Sequence, residues 1–315
     1  MKIVAAFVRL MRPGDWAKNV FVVIPFVFWL AGDGRGEGSV LGQGLRTFAV
    51  VVAFSLVGGG FYAINDALDA EEDRKHPKKS RRPVASGLIS PRAATIFGVV
   101  CVLGGLTLAG LVRPSVLVLL GVYALVQVLY NAKLKRVRLV DVTTVASGFV
   151  MRSMAGALAI GIAVSIWLVV VVYALTLFLG FVKRLGDLRS VELARKGGAA
   201  VEWKPRAGYD SAEDLNWLLA VTGSVTMMAY LLYALSDHAR GIFGVRASGF
   251  ALLSPLVFIV IHRLYLRANV GKADSPVSAI VADHSASVAT MLFGMGVLAV
   301  LYVPQVSSAL GALFQ

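Results

Sequence analysis

Residues 48–64 read Phe-Ala-Val-Val-Val-Ala-Phe-Ser-Leu-Val-Gly-Gly-Gly-Phe-Tyr-Ala-Ile, and the run then breaks into charge: Asn65-Asp66-Ala67-Leu68-Asp69-Ala70-Glu71-Glu72-Asp73-Arg74-Lys75-His76-Pro77-Lys78-Lys79-Ser80-Arg81-Arg82-Pro83. If one helix continues through the break, Asp66, Asp69 and Asp73 fall at i, i+3 and i+7 on one face. Carboxylates stacked on a helical stripe repel one another, and a cation relieves the repulsion. Oxygen ligands suit a hard ion such as Mg²⁺, which keeps waters and shares its shell with substrate phosphate. The plainer alternative is a solvated helix end with mixed charges. Acids in a row at a membrane boundary are costly, which favours a functional reading.

Working outward, apolar segments like 48–64 recur along all 315 residues, which are 57% hydrophobic and 16% charged. Such a chain is a polytopic helical membrane protein rather than a soluble globule. The formal charge of +13 suits positive-inside loops and anionic lipid or substrate, so nucleic acid is not the expected partner. The single cysteine, Cys101, lies in an apolar run and leaves the redox compartment unread. Met1 to Arg12 is not expected to be a cleavable signal.

Residues of about 2–12 predict an interfacial amphipathic helix, with Ile3, Phe7, Leu10 and Met11 on one face. Nine spans follow, at about 17–31, 44–66, 92–111, 115–130, 139–160, 163–182, 214–235, 248–267 and 285–304. Loop charge tests that number. With the N-terminus cytoplasmic, the inside segments collect most of the basic residues, including Arg9, Arg12, Lys18, Arg74 to Arg82, Lys133 to Arg138, Lys183 to Arg206 and Arg263 to Lys272. The outside segments keep only Arg35, Arg46, Arg113, Arg240 and Arg246. That division is the positive-inside pattern. The whole chain, 1–315, therefore reads as one membrane domain, with long cytoplasmic loops at about 67–91 and 183–213. The second loop is expected to hold a short amphipathic helix carrying Leu185, Leu188 and Val191. The outside loop Gly32 to Gly38 is short and glycine-rich.

A second charged cluster, Lys183-Arg184-Leu185-Gly186-Asp187-Leu188-Arg189, ends the sixth span as 65–82 ends the second. Four spans apart, the two share a membrane face and suggest one pocket. Arg152 is an arginine inside a span, where such residues face a bundle interior or a wet cavity; a structural ion pair is the equal alternative. Tyr130, Lys133 and Lys135 end the fourth span and Asp141 opens the fifth. Asp274 and Asp283 flank the start of the ninth span and read as caps. Trp16, Trp29, Trp167, Trp203 and Trp217 lie mostly near span ends, as interfacial anchors. His76, His238, His262 and His284 lack metal spacing.

These parts predict a membrane transferase at the cytoplasmic surface of the cell membrane. Mg²⁺ neutralises a departing diphosphate, arginine and lysine hold other phosphate oxygens, and a lipid tail enters from the bilayer. The residues alone leave open which substrate carries the diphosphate, and they leave self-association of the chain open.

The run Asn65-Asp66-x-x-Asp69-x-x-x-Asp73 followed by Arg82-Pro83-x-Ala85-Ser86-Gly87 resembles the UbiA prenyltransferase superfamily. The resemblance implies an all-α bundle of nine transmembrane helices with two cytoplasmic clusters. Arg12-Pro13-x-x-Trp16-x-Lys18-Asn19, Tyr130-x-x-x-Leu134-Lys135 with Asp141, Gly148-Phe149-Val150-x-Arg152-x-x-Ala155-Gly156, and Lys183-Arg184-x-x-Asp187-Leu188 are similar to its decaprenyl-phosphate phosphoribosyltransferase branch. That branch implies phosphoribosyl pyrophosphate as donor, a polyprenyl phosphate as acceptor, and a product that serves arabinan synthesis in the cell envelope. By that resemblance Asp66, Asp69 and Asp73 hold Mg-pyrophosphate with Asn65 in support. Lys79, Arg82, Lys183 and Arg184 hold phosphates. Lys18, Tyr130, Lys135 and Arg152 are candidates for substrate contact, mainly at the acceptor phosphate, and Asp187 meets ribose or orients Lys183. Asp15 departs from the branch, where an amide often stands. The second cluster carries one acid and net positive charge, unlike relatives that act on aromatic substrates. The competing readings are a prenyltransferase using a polyprenyl diphosphate and an aromatic acceptor, and a transporter with acidic ion sites.

Overall fold

The structure is a computed structural model that describes residues 2–31, 38–75, 79–198, 205–273 and 275–314. The described residues form helices and turns, with no strand among them. Nine stretches among them are long and apolar enough to cross a membrane, from Ile3–Ala31 to His284–Tyr302, in agreement with the spans expected. The protein is a multi-pass membrane protein. Its chain divides into two compact units, 1–27 with 36–129 and 151–164, and 28–35 with 130–150 and 165–315. His76, the Gly32 to Glu37 part of the glycine-rich loop, Trp203 and Asp274 lie outside the described residues.

The first unit holds α1 (Lys2–Leu10), α3 (Val40–Leu68), α4 (Ala70–Lys75), α5 (Pro91–Val112) and most of α2 (Val20–Ala31) and α6 (Pro114–Ala132). It also takes the C-terminal part of α7 (Val140–Ile160). Helix starts follow their caps. Ser39 accepts from Gly42 N–H at 3.1 Å, and Ser90 accepts from Ala93 N–H at 3.2 Å ahead of Pro91. At about 1.5 Å per residue, the 29 residues of α3 outrun a hydrocarbon core of roughly 30 Å. Lipid gives helices no hydrophobic reason to associate, so small residues let their backbones meet. A Cβ on Gly60 would lie 2.6 Å from the Gly98 carbonyl oxygen, and one on Gly105 would lie 2.7 Å from that of Ala53. These two contacts set the α3–α5 crossing.

The expected N-terminal helix is α1, with a modified face. Leu10 and Ala6 are buried against Ala63, Ala70, Val84, Ile89 and Ala94, and Phe7 packs on the same cluster. Ile3 is exposed, because α1 turns Ala6 rather than Ile3 onto α3 and α5. Arg12 then takes a left-handed backbone, φ 49°, and a 3-10 turn over Pro13–Asn19 leads into α2.

The second unit holds α8 (Ile166–Lys196), α9 (Ala212–Leu235), α10 (Asp237–Phe243), α11 (Arg246–Leu252), α12 (Ser254–Asn269), α13 (Pro276–Val281), α14 (His284–Tyr302) and α15 (Pro304–Phe314). It also takes the start of α7. The expected separate helix in 183–213 is instead the continuation of α8. Phe178, Phe181, Val182, Leu185 and Leu188 keep one apolar stripe past the membrane boundary, and all are buried in one core with Tyr209, Leu215 and Leu264. Asp283 caps α14 as expected, accepting from Ala286 N–H at 2.9 Å. The Arg263 guanidinium also grips it at 3.0 and 2.7 Å, and that charge-assisted bond holds its carboxyl down at about 2.

Candidate active site

In the first unit the acid run does not form one continuous stripe. Helix α3 ends at Leu68, Asp69 leaves helical geometry at ψ 6°, and α4 starts afresh at Ala70. Asp66 and Asp73 are each 3% exposed, whereas Asp69 is exposed. The expected row of three carboxylates is therefore two buried acids and one at the surface. Among the described residues no three His, Cys, Asp or Glu side chains gather as metal ligands.

Arg82 joins the two buried acids. Its Nη1 donates to Asp66 Oδ1 at 3.1 Å and to Asp73 Oδ2 at 2.6 Å. Lys79 Nζ lies 3.7 Å from Asp73 Oδ1. The turn from Lys79 to Pro83 brings these cations back over the acids, and Pro83 and Val84 anchor it by burial. Arg12 completes the cluster from 54 residues away, donating to Asp66 Oδ1 at 2.7 Å while lying 4.4 Å over the Tyr62 ring. Two buried carboxylates without such partners would be strongly disfavoured. Their oxygens are hard donors of the kind Mg²⁺ takes, beside cations placed for phosphate oxygens. The residues present thus suit a magnesium–diphosphate group. Asn65 is half-buried one position before Asp66.

Also in the first unit, Arg152 is 9% exposed. Its Nε donates to Asn19 Oδ1 and its Nη2 to Tyr123 Oη, both at 2.9 Å. Asn19 in turn donates to Ser55 Oγ at 2.9 Å. The guanidinium also faces the rings of Tyr123 and Phe54. Lys18, half-buried, lies 2.5 Å from Asp15 and 3.4 Å from Tyr62 Oη.

In the second unit, Arg184 is buried. Its Nε and Nη2 donate to Asp141 Oδ2 at 3.1 and 2.8 Å. Tyr209 Oη donates to Asp141 Oδ1 at 2.9 Å and accepts from Leu139 N–H at 2.9 Å. Burial pushes the Tyr209 phenol well above its ordinary pKa. Asp187, half-buried, lies 3.9 Å from Arg184 Nη1, and Lys183 is exposed one turn back on α8. Tyr130 ends α6 and Lys135 lies in the Leu134–Arg136 turn, both half-buried.

Eight of the thirteen expected residues thus fall into three groups: Asp66, Asp73, Lys79 and Arg82; Arg152; and Lys183, Arg184 and Asp187. Sequence reasoning missed Arg12, Asn19, Tyr123, Asp141 and Tyr209 as members of these groups. Arg12, Asn19 and Asp141 stood in quoted motifs, which was a signal. Tyr123 and Tyr209 carried none.

The sequence pattern of the UbiA prenyltransferase family matches residues 20–281. A decaprenyl-phosphate phosphoribosyltransferase of Mycobacterium tuberculosis is 31% identical over 285 residues, covering 90% of this chain and 89% of that protein. Among solved structures, one of digeranylgeranylglyceryl phosphate synthase superposes with a TM-score of 0.63 at 17% identity, covering 97% of this chain and 99% of the other. A UbiA homologue from Archaeoglobus fulgidus bound to GPP and Mg²⁺ gives 0.61 at 19% identity, covering 95% and 100%. Fold, length and sequence agree across these proteins, and they make this chain a transferase that belongs to the UbiA prenyltransferase family.

Proposed function

We propose that this protein transfers the 5-phosphoribosyl group of phosphoribosyl pyrophosphate to a polyprenyl phosphate, in a Mg²⁺-dependent reaction. The acceptor phosphate oxygen forms the new bond to ribose C1. The bond from C1 to pyrophosphate breaks, and pyrophosphate leaves with the electron pair. The observation that carries the reading is the buried acid pair Asp66 and Asp73 bracketed by Arg12, Lys79 and Arg82. Asp66 and Asp73 would hold the metal, with Asp69 and Asn65 in support, and the metal would neutralise charge on the departing pyrophosphate. Arg82 and Lys79 bind its oxygens.

The second cluster supports an anionic second substrate. Asp141 takes up Arg184, which leaves the exposed Lys183 beside the half-buried Asp187, a lysine and one acid that suit phosphate better than another metal. Lys183 binds phosphate, and Asp187 accepts a ribose hydroxyl. Lys18, Tyr130, Lys135 and Arg152 are assigned to the acceptor side. The charge asymmetry of the loops supports a reading in which this chemistry faces the cytoplasm at the plasma membrane. The name of the mycobacterial relative supports decaprenyl phosphate as the acceptor, with the product entering cell-envelope arabinan synthesis.

The test incubates purified protein with radiolabelled phosphoribosyl pyrophosphate, decaprenyl phosphate and Mg²⁺. Label is expected in the lipid fraction, and chelation is expected to stop its transfer. Transfer seen only from a polyprenyl diphosphate to an aromatic acceptor would overturn the reading.

A further inference from the structure

Arg184 reads in the sequence as a phosphate ligand, yet in the structure it faces inward. Two of its nitrogens lie on Asp141, which is 0% exposed. Its third, Nη1, lies 3.9 Å from Asp187 Oδ2. The guanidinium therefore stands between a buried anchor and a half-exposed acid. The anchor is itself held. Tyr209, 2% exposed, donates to the other oxygen of Asp141 and accepts from the N–H of Leu139. Leu139 has φ 64°, a conformation that costs a leucine energy and persists only where its surroundings hold it. Arg138 lies 5.5 Å from the centre of the Tyr209 ring and pairs with Asp214 at the start of α9. On the far side of α8, Gly186 admits the Ala273 carbonyl oxygen to within 2.8 Å of where a Cβ would be. The helical turn carrying Lys183 and Asp187 is thus fixed from two directions, and the chain Tyr209–Asp141–Arg184 is a buried polar brace on one of them.

We infer that Tyr209 and Asp141 are positioning residues, which act through Arg184 to place Asp187 against the sugar of the donor. This rests on the proposed function, in which Asp187 meets ribose. A purely structural brace would lower stability alone. A positioning brace changes substrate recognition, and only while Asp187 is there to be positioned.

Tyr209→Phe removes one O–H and keeps the ring. Full-length protein in detergent is assayed with labelled phosphoribosyl pyrophosphate and decaprenyl phosphate. The expected result is an approximately fivefold rise in KM for the donor, the scale of one lost hydrogen bond, with KM for the lipid unchanged. In an Asp187→Asn background the same substitution is expected to add nothing to KM, since coupled residues are not additive. An additive effect overturns the inference, as does a donor KM unmoved while the thermal midpoint falls. If Tyr209→Phe does not fold, Arg184→Lys takes its place, because one ammonium cannot hold Asp141 and face Asp187 together. No phosphoribosyl transfer by the unsubstituted protein overturns the proposed function and this inference with it. Transfer with additive variants overturns this inference alone.

Discussion

Asp66, Asp69 and Asp73 are spaced alike in sequence but differ in burial, and the difference separates binding from stability. Asp66 and Asp73 balance Arg12, Arg82 and Lys79 inside the first unit. Removing Asp66 takes a charge-assisted partner from the part-exposed Arg12 and Arg82, which costs roughly 1–3 kcal/mol. Asp66→Ala is therefore expected to lose both activity and thermal stability. Asp69 is exposed, so Asp69→Ala should leave the thermal midpoint within about one degree of the parent, as surface substitutions do. Its Mg²⁺-dependent turnover should still fall at least tenfold if it supports the metal. Normal turnover at saturating Mg²⁺ would remove Asp69 from the donor site. Asp283 permits a pH test. Its folded pKa of about 2 lies below the unfolded value of about 3.9. Its contribution is therefore complete above pH 4 and is lost as the pH falls toward 2, and it amounts to about 1–2 kcal/mol at neutral pH, allowing for the part-exposed Arg263. Asp283→Asn should lower the thermal midpoint at pH 6 and converge on the parent near pH 2. A constant offset across that range would mean that the effect is packing rather than charge.

At the scale of elements, the α3–α5 crossing depends on the absence of side chains. A Cβ at Gly98 would stand 2.7 Å from the Gly60 carbonyl oxygen, a backbone atom that cannot rotate away. Gly58, two residues from Gly60, has nothing within 4 Å of its Cβ position. Gly98→Val is expected to yield little folded protein in detergent, whereas Gly58→Ala should match the parent or gain a few tenths of a kcal/mol from helix propensity. Equal yields would show that the crossing is loose. This contrast also marks what the sequence could convey. Apolar length announced α3, α5 and α8, and serine caps fixed the starts of α3 and α5. Glycine in the triplet 58–60 gave no hint of which member meets a backbone, because that depends on a helix some 38 residues away. The continuation of α8 to Lys196 was legible in the spacing of Phe181, Val182, Leu185 and Leu188. Charge at Lys183 and Arg184 masks that stripe, because charge commonly marks the end of a membrane span.

For the whole molecule, the number of spans and the acid run were legible because both are local. Partners were not. Arg12 reaches Asp66 across 54 residues and Tyr209 reaches Asp141 across 68, and no periodicity connects such positions. Orientation is a different kind of inference, since it rests on loop charge rather than contact. If the N-terminus lies inside, positions 79 and 196 follow the second and sixth spans and must face the cytoplasm, and position 241, after the seventh, must face out. All three are exposed. The native Cys101 is buried in α5, so its replacement by alanine gives a quiet background for labelling. Single cysteines at 79 and 196 should react with an impermeant maleimide only after the cells are opened, whereas one at 241 should react in intact cells. Labelling of 79 but not 196 from the same side would mean a miscounted span between them, because four crossings must return the chain to the face it left. Reversed labelling of all three would keep the helices and put the acid cluster on the outer face. Phosphoribosyl pyrophosphate made in the cytosol does not reach that side, so the proposed reaction would fail with it.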